Sequence, residues 1–142
     1  MTAYNFHKRF VEPIIKGTKL QTIRPLGKSG RRHARPGEPV QLYCGMRTKS
    51  CSKIVTPDPI CCQVLPVELD FSLPRSPTIL LNKFPLNPAT LRAFARLDGF
   101  ESLDEMRLMF CSLYGVARKD MVLIRWTPPD KTRKKNSTKG RA

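Results

Sequence analysis

The stretch Gly17-Thr18-Lys19-Leu20-Gln21-Thr22-Ile23-Arg24-Pro25 places a lysine, a threonine and an arginine close together where a helix end leads into a strand. Strand geometry puts Thr22 and Arg24, two residues apart, on one face, and Lys19 joins them from the preceding turn. Such a cluster can hold a phosphate or a carboxylate. It can also do chemistry: a threonine hydroxyl becomes a nucleophile once a base takes its proton, and a lysine desolvated beside other cations can be that base. A surface turn with two solvated charges has the same composition.

A second cluster, Tyr43 to Lys53, opens a strand end into a loop carrying Arg47, Lys49 and Lys53, hydroxyls, and the Tyr43 ring. The cations can track phosphates and the ring offers a base a stacking face, although an exposed hairpin tip looks similar. Lys28, Arg31, Arg32, His33 and Arg35 make another basic loop, suited to backbone attraction rather than base reading. Cys44, Cys51, Cys61 and Cys62 could in number supply a zinc site. Their spacing contains no C-x-x-C pair, and adjacent Cys61 and Cys62 in a strand point to opposite faces, so neither metal nor cofactor is expected.

These residues need elements to position them. Phe6, Phe10, Val11, Ile14 and Ile15 recur at helical spacing and predict one helix over Phe6–Lys16, distorted at Pro13 and ended by Gly17. Strands are expected at Leu20–Arg24, at Val40–Cys44 by alternation, and at Ile60–Phe71 with Cys62, Val64 and Val67 facing a core. A further short strand runs through Ile79 and Leu81, and a last one spans Met121–Trp126 before Pro128-Pro129. Asn87-Pro88 starts one helix that Gly99 closes, and Ser102 with Glu105 fits a capping box for the next, ended by Gly115. Cys111, Met46 and Trp126 read as packing residues, His7 and His33 as solvated or hydrogen-bonded. Short strands with helices between them predict an α+β domain, most simply a small β-barrel with flanking helices.

The chain has 142 residues, a net charge of +15 and 40% hydrophobic residues. That suits one domain over residues 1–129 and excludes a fully disordered or collagen-like chain. The charge is segregated: residues 1–53 carry 12 basic and 2 acidic side chains, residues 54–129 carry 8 of each, and residues 130–142 carry 6 and 1. The 130–142 segment has almost nothing apolar to dock it and is expected to be a disordered basic arm. No apolar run approaches the roughly 20 residues of a membrane span, and no apolar core follows the charged N-terminus as in a secretory signal. A cytoplasmic protein with reduced thiols is expected. Nucleotide-binding glycine motifs are missing, which disfavours nucleotide-fuelled chemistry.

The order of helix, G-x-K-x-x-T-I-R at a strand start, basic loop, Pro36-Gly37, alternating strand, and Gly99-Phe100 before a capped helix resembles the ASCH domain family. The likeness spans roughly residues 4–126. It implies a PUA-like β-barrel that binds RNA, and its members include a small bacterial amidohydrolase of 4-N-acetylcytidine. The lysine and threonine proposed as catalytic there fall on Lys19 and Thr22. The accompanying glutamate is matched by Asp98, with Glu101 second, and an aspartate is one methylene shorter. The expectation is RNA or modified-nucleoside binding in a basic cleft floored by Lys19, Thr22 and Arg24. The alternatives are an amidohydrolase with Thr22 as nucleophile and Lys19 as base, a single-strand ribonuclease, or a basic surface for an acidic protein partner.

Overall fold

The computed structural model describes residues 2–26, 32–73 and 75–129, so the expectations for Lys28, Arg31 and the 130–142 arm lie outside the described residues. In chain order the elements are β1 (Thr2–Phe6), α1 (Val11–Lys16), β2 (Gln21–Pro25), β3 (Val40–Cys44), β4 (Ser52–Lys53) and β5 (Cys61–Asp70). There follow β6 (Thr78–Leu81), β7 (Phe84–Pro85), α2 (Pro88–Leu97), α3 (Leu103–Tyr114) and β8 (Lys119–Trp126).

The N-terminus departs from expectation. Thr2–Phe6 is a strand, parallel to β3 in the register Thr2↔Val40 to Phe6↔Cys44, and only a 3-10 turn at Lys8–Phe10 and the short α1 are helical. Pairing with a distant strand buries Tyr4 and Phe6 on one side of β1, which a helix beginning at Phe6 would not do. Pro13 is tolerated because it lies in the first turn of α1, where amide donors have no intrahelical partner. Gly17 then stops the helix at φ +82°, and the amides of Thr18 and Lys19 both donate to the Pro13 carbonyl, so Lys19 is delivered at the end of a tight cap.

Mixed α+β architecture is observed, but the strands form two sheets, not one closed barrel. One sheet has the order β1-β3-β4 and the other β2-β8-β5-β6-β7. The two meet through the Pro39↔Ile60 bridge and the Val40 amide donating to the Pro59 carbonyl. Prolines 39, 57 and 59 remove ladder donors, and a bulge between Cys61 and Gln63 shifts the register, so pairing does not run on around the molecule. That bulge also reverses an expectation: Cys61 is buried and Cys62 exposed.

β8 is the spine of the larger sheet, antiparallel to β2 on one side and β5 on the other. Its consecutive residues Met121–Ile124 are all buried, so both faces of the strand are covered. Both later helices begin as expected. Asn87 Oδ1 accepts from the Thr90 amide at 2.9 Å and Ser102 Oγ from the Glu105 amide at 3.1 Å. The Glu105 carboxylate, however, pairs with Arg9. That contact ties α3 to the turn before α1. No helix among the described residues is long and apolar enough to cross a membrane.

Candidate functional site

Among the described residues four polar side chains are buried: Lys19, Gln21, Thr22 and Asp98. Three of them were singled out by sequence, and the fold brings these together in one cavity of about 270 Å³, with Arg24 on the same lining. β2 contributes Thr22 and Arg24, the turn before it Lys19, and the end of α2 Asp98. Aromatic rings close the space from β1, the 3-10 turn, the α2–α3 connection and α3, through Phe6, Phe10, Phe100 and Tyr114.

Lys19 is 2% exposed. Its Nζ donates to the main-chain carbonyls of Gln21 at 2.7 Å and Asp98 at 2.5 Å, while the Asp98 carboxylate stands off at 3.9 Å. The rings of Phe10 and Phe6 lie 4.6 and 5.3 Å from it, favourable cation–π distances. Burial pulls the Lys19 ammonium down to about 8, with Asp98 opposing and Arg24 and Arg9 adding to the drop. Burial likewise pushes Asp98 up to about 6, against the attraction of Lys19. Both groups therefore titrate near neutrality, which is how a fold readies acid and base groups.

Thr22 and Arg24 do share a face, because Arg24 Nε donates to Thr22 Oγ1 at 3.0 Å. The other end of the guanidinium donates to the Asn5 carbonyl of β1 at 2.7 Å, and the group lies over the Tyr4 and Phe6 rings at 5.3 and 5.0 Å. Arg24 thus ties the larger sheet to the smaller. No hydrogen bond joins Lys19 to Thr22 among the described residues. The hydroxyl proton of Thr22 is left to donate, since Arg24 already occupies it as an acceptor. Glu101 is exposed and lines none of this cavity. The carboxyl at the lysine is Asp98.

The basic residues divide. Arg24, Arg32 and Arg47 line an open groove of about 380 Å³ with Tyr4, Asn5 and His33. Arg32 spends both guanidinium ends on Glu38, at 2.8 and 2.9 Å, and Glu38 also accepts from the Arg35 amide; the Arg32 bonds, and after them the Arg35 amide, hold its carboxyl down at about 2. Tyr43 and Lys53 sit together on β3 and β4 with the ammonium 5.9 Å from the ring, and Lys53 is paired with Asp58 at 2.9 Å. Tyr43, Lys53, Lys49 and Arg35 do not line the groove.

Sequence reasoning missed β1 and with it Tyr4, Asn5 and Phe6. The signal was present: Tyr4 and Phe6 alternate with Ala3 and Asn5, the period of a strand. It missed Gln21 as well, whose Oε1 accepts from Arg125 at 2.8 Å and whose Nε2 lies 3.5 Å from Asp98 Oδ1. His33 stacks parallel on Tyr4. Its Nε2 meets the Pro25 carbonyl at 3.0 Å and its Nδ1 the Tyr4 hydroxyl at 3.1 Å, which fixes the ring against the groove wall.

No family model matches the chain, and neither a curated protein nor a solved structure does.

Proposed function

We propose that this chain binds RNA or a modified nucleoside in an ASCH-type cleft, one base entering the Lys19 cavity while adjoining phosphates lie along the basic groove. The observation that carries the reading is that Asn5 and Arg24 line both spaces. A ligand with a flat polar ring next to an anionic group matches that arrangement. The cavity is at the small end of ligand pockets, which run from about 300 Å³, so it suits one ring. Its aromatic walls offer stacking, and its Lys19 donor, Asp98 acceptor and Thr22 hydroxyl can meet the alternating edge of a base. In this reading the two sheets are the parts of a PUA-like barrel; the Pro39↔Ile60 bridge and the tie from Arg24 to Asn5 support it.

The test is a titration with cytidine, 4-N-acetylcytidine and a short single-stranded RNA, repeated across salt. Expected is RNA binding whose affinity falls with salt at a slope of about −0.7 per neutralised phosphate, and loss of binding in Arg24→Ala. Binding indifferent to salt and to Arg24→Ala would overturn the proposal.

The burial of Lys19, which brings its amine near neutrality, favours a second reading as an amidohydrolase of 4-N-acetylcytidine-type nucleosides. Thr22 Oγ would attack the acetyl carbonyl and Lys19 would take its proton. The bond from carbonyl carbon to N4 would break, the amine leaving with a proton, and water would then release acetate from Thr22. Binding ranks first because Lys19 Nζ is engaged with carbonyls and has no hydrogen bond to Thr22. Acetate released in the same tube would reverse the ranking, and shortened RNA would point to a ribonuclease.

A further inference from the structure

A second groove, of about 570 Å³, runs between α2, the start of α3 and the loop before β6, and shares no lining residue with the Lys19 cavity or the basic groove. Half of the basic side chains of residues 54–129 line it: Arg75, Arg92, Arg96 and Arg107. Arg107 is engaged by Asp104 at 2.8 Å. Arg75, Arg92 and Arg96 are exposed and have no ion pair among the described residues. Arg92 and Arg96 lie one turn apart on α2, a like-charged i,i+4 pair that on its own disfavours the helix. Leu91 and Leu103 provide an apolar floor.

All four cations are arginines, whose planar forks bind carboxylate or phosphate in pairs. Two features choose between those anions. No aromatic ring among the described residues lines the groove, so bases would have nothing to stack on, and its Leu91 and Leu103 floor suits an apolar side chain, which a sugar-phosphate backbone lacks; Glu101 and Asp104 line it too, Asp104 being spent on Arg107. The 130–142 segment, with 6 basic side chains and 1 acidic, does not match the groove in charge.

We infer that this groove docks an acidic segment of a protein partner, with carboxylates on Arg92 and Arg96 and an apolar side chain on Leu91 and Leu103. Four residues of helix rise about 6 Å, close to the roughly 6.7 Å between alternate residues of a strand, so an extended segment alternating acidic and apolar residues fits. The surface is separate from the one proposed for RNA, and the two can be occupied together.

The probe is a short labelled peptide of alternating glutamate and leucine, titrated against the full chain beside an oligouridylate. R92E/R96E and R32E/R47E change net charge equally, so each controls for the general field of a basic protein. Expected is a loss of about tenfold or more in peptide affinity in R92E/R96E alone, with oligouridylate binding weakened in R32E/R47E alone. R92Q/R96Q gives the same direction should the reversal disturb α2. Failure of the wild-type chain to bind the peptide overturns the inference, as does equal loss of peptide in both charge-reversal variants. Loss of oligouridylate in R92E/R96E would make the groove an RNA surface. A wild-type dimer that R92E/R96E dissociates in sedimentation would make the occupant a second copy.

Discussion

Lys19 Nζ is closer to the backbone of Asp98 than to its carboxylate: 2.5 Å to the carbonyl oxygen and 3.9 Å to Oδ1. The pair is joined through the helix end as much as through charge. Asp98 terminates α2 with its amide on the Phe94 carbonyl, and Lys19 supplies a donor to its carbonyl, one of those a helix end leaves without an intrahelical partner. The carboxylate is left with a weak contact to Gln21 and can accept from a ligand.

The pair should leave a signature in the pH dependence of stability. Asp98 is raised from 3.8 to about 6, so the folded state holds more protons than the unfolded, and its stabilising contribution is lost as pH rises from 4 to 6. Lys19 is lowered from 10.5 to about 8, so the folded state holds fewer protons, and stability is gained as pH rises from 8 to 10.5. Urea midpoints compared between wild type and Lys19→Met/Asp98→Asn isolate this from the opposing acid sensitivity of Glu38, which the double variant keeps. Wild type should lose stability relative to the variant across the first window and regain it across the second. Parallel curves would mean that the pair does not titrate in the fold.

Gly99 should not tolerate a side chain. It has φ +96°, and an added Cβ would lie 2.7 Å from Lys19 Cδ and 2.8 Å from Phe10 Cδ1. Left-handed strain and overpacking together predict that Gly99→Ala costs about 2–4 kcal/mol. Nucleoside affinity should fall with stability, because both clashing atoms belong to cavity walls. A thermal midpoint within 2 °C or so of wild type would contradict the placement.

Releasing Arg32 should strengthen RNA binding. Its guanidinium is spent on Glu38 in an exposed ion pair of small net value, so Glu38→Gln frees a cation in the groove at little cost to the fold. The salt slope should steepen by about 0.7 and affinity at low salt rise severalfold. An unchanged slope would place the RNA away from Arg32.

Thr22→Val keeps the shape of β2 but leaves Arg24 Nε without its acceptor. A charged donor stripped of its partner predicts a loss of about 1–3 kcal/mol. In the binding reading, Thr22→Ser restores most nucleoside affinity because the oxygen returns. Affinity equal in Thr22→Val and wild type would show that Arg24 is positioned by Asn5 and the aromatic faces alone.

What the chain decided by itself is whatever depends on neighbours a few residues away. Thr22 and Arg24 share a face because a strand repeats every two residues, and α2 and α3 begin at Asn87 and Ser102 because side-chain oxygens there reach amides three residues on. The charge segregation, and the separation of Cys61 from Cys62 onto opposite faces, are equally local. Which cysteine faces the core is not, since a bulge set by pairing with β8 chooses it. The burial of Lys19 is not local either: read from its turn it is a solvated cation, and it is covered by the Phe6 and Phe10 rings and by the end of α2, 79 positions away, which sets Asp98 rather than Glu101 beside it. Tyr4 and Asn5 reached the site through a parallel pairing with β3, for which a short window carries no signal. Periodicity reports which way a side chain points, but what it meets there is settled by contacts whose partners are remote in the chain.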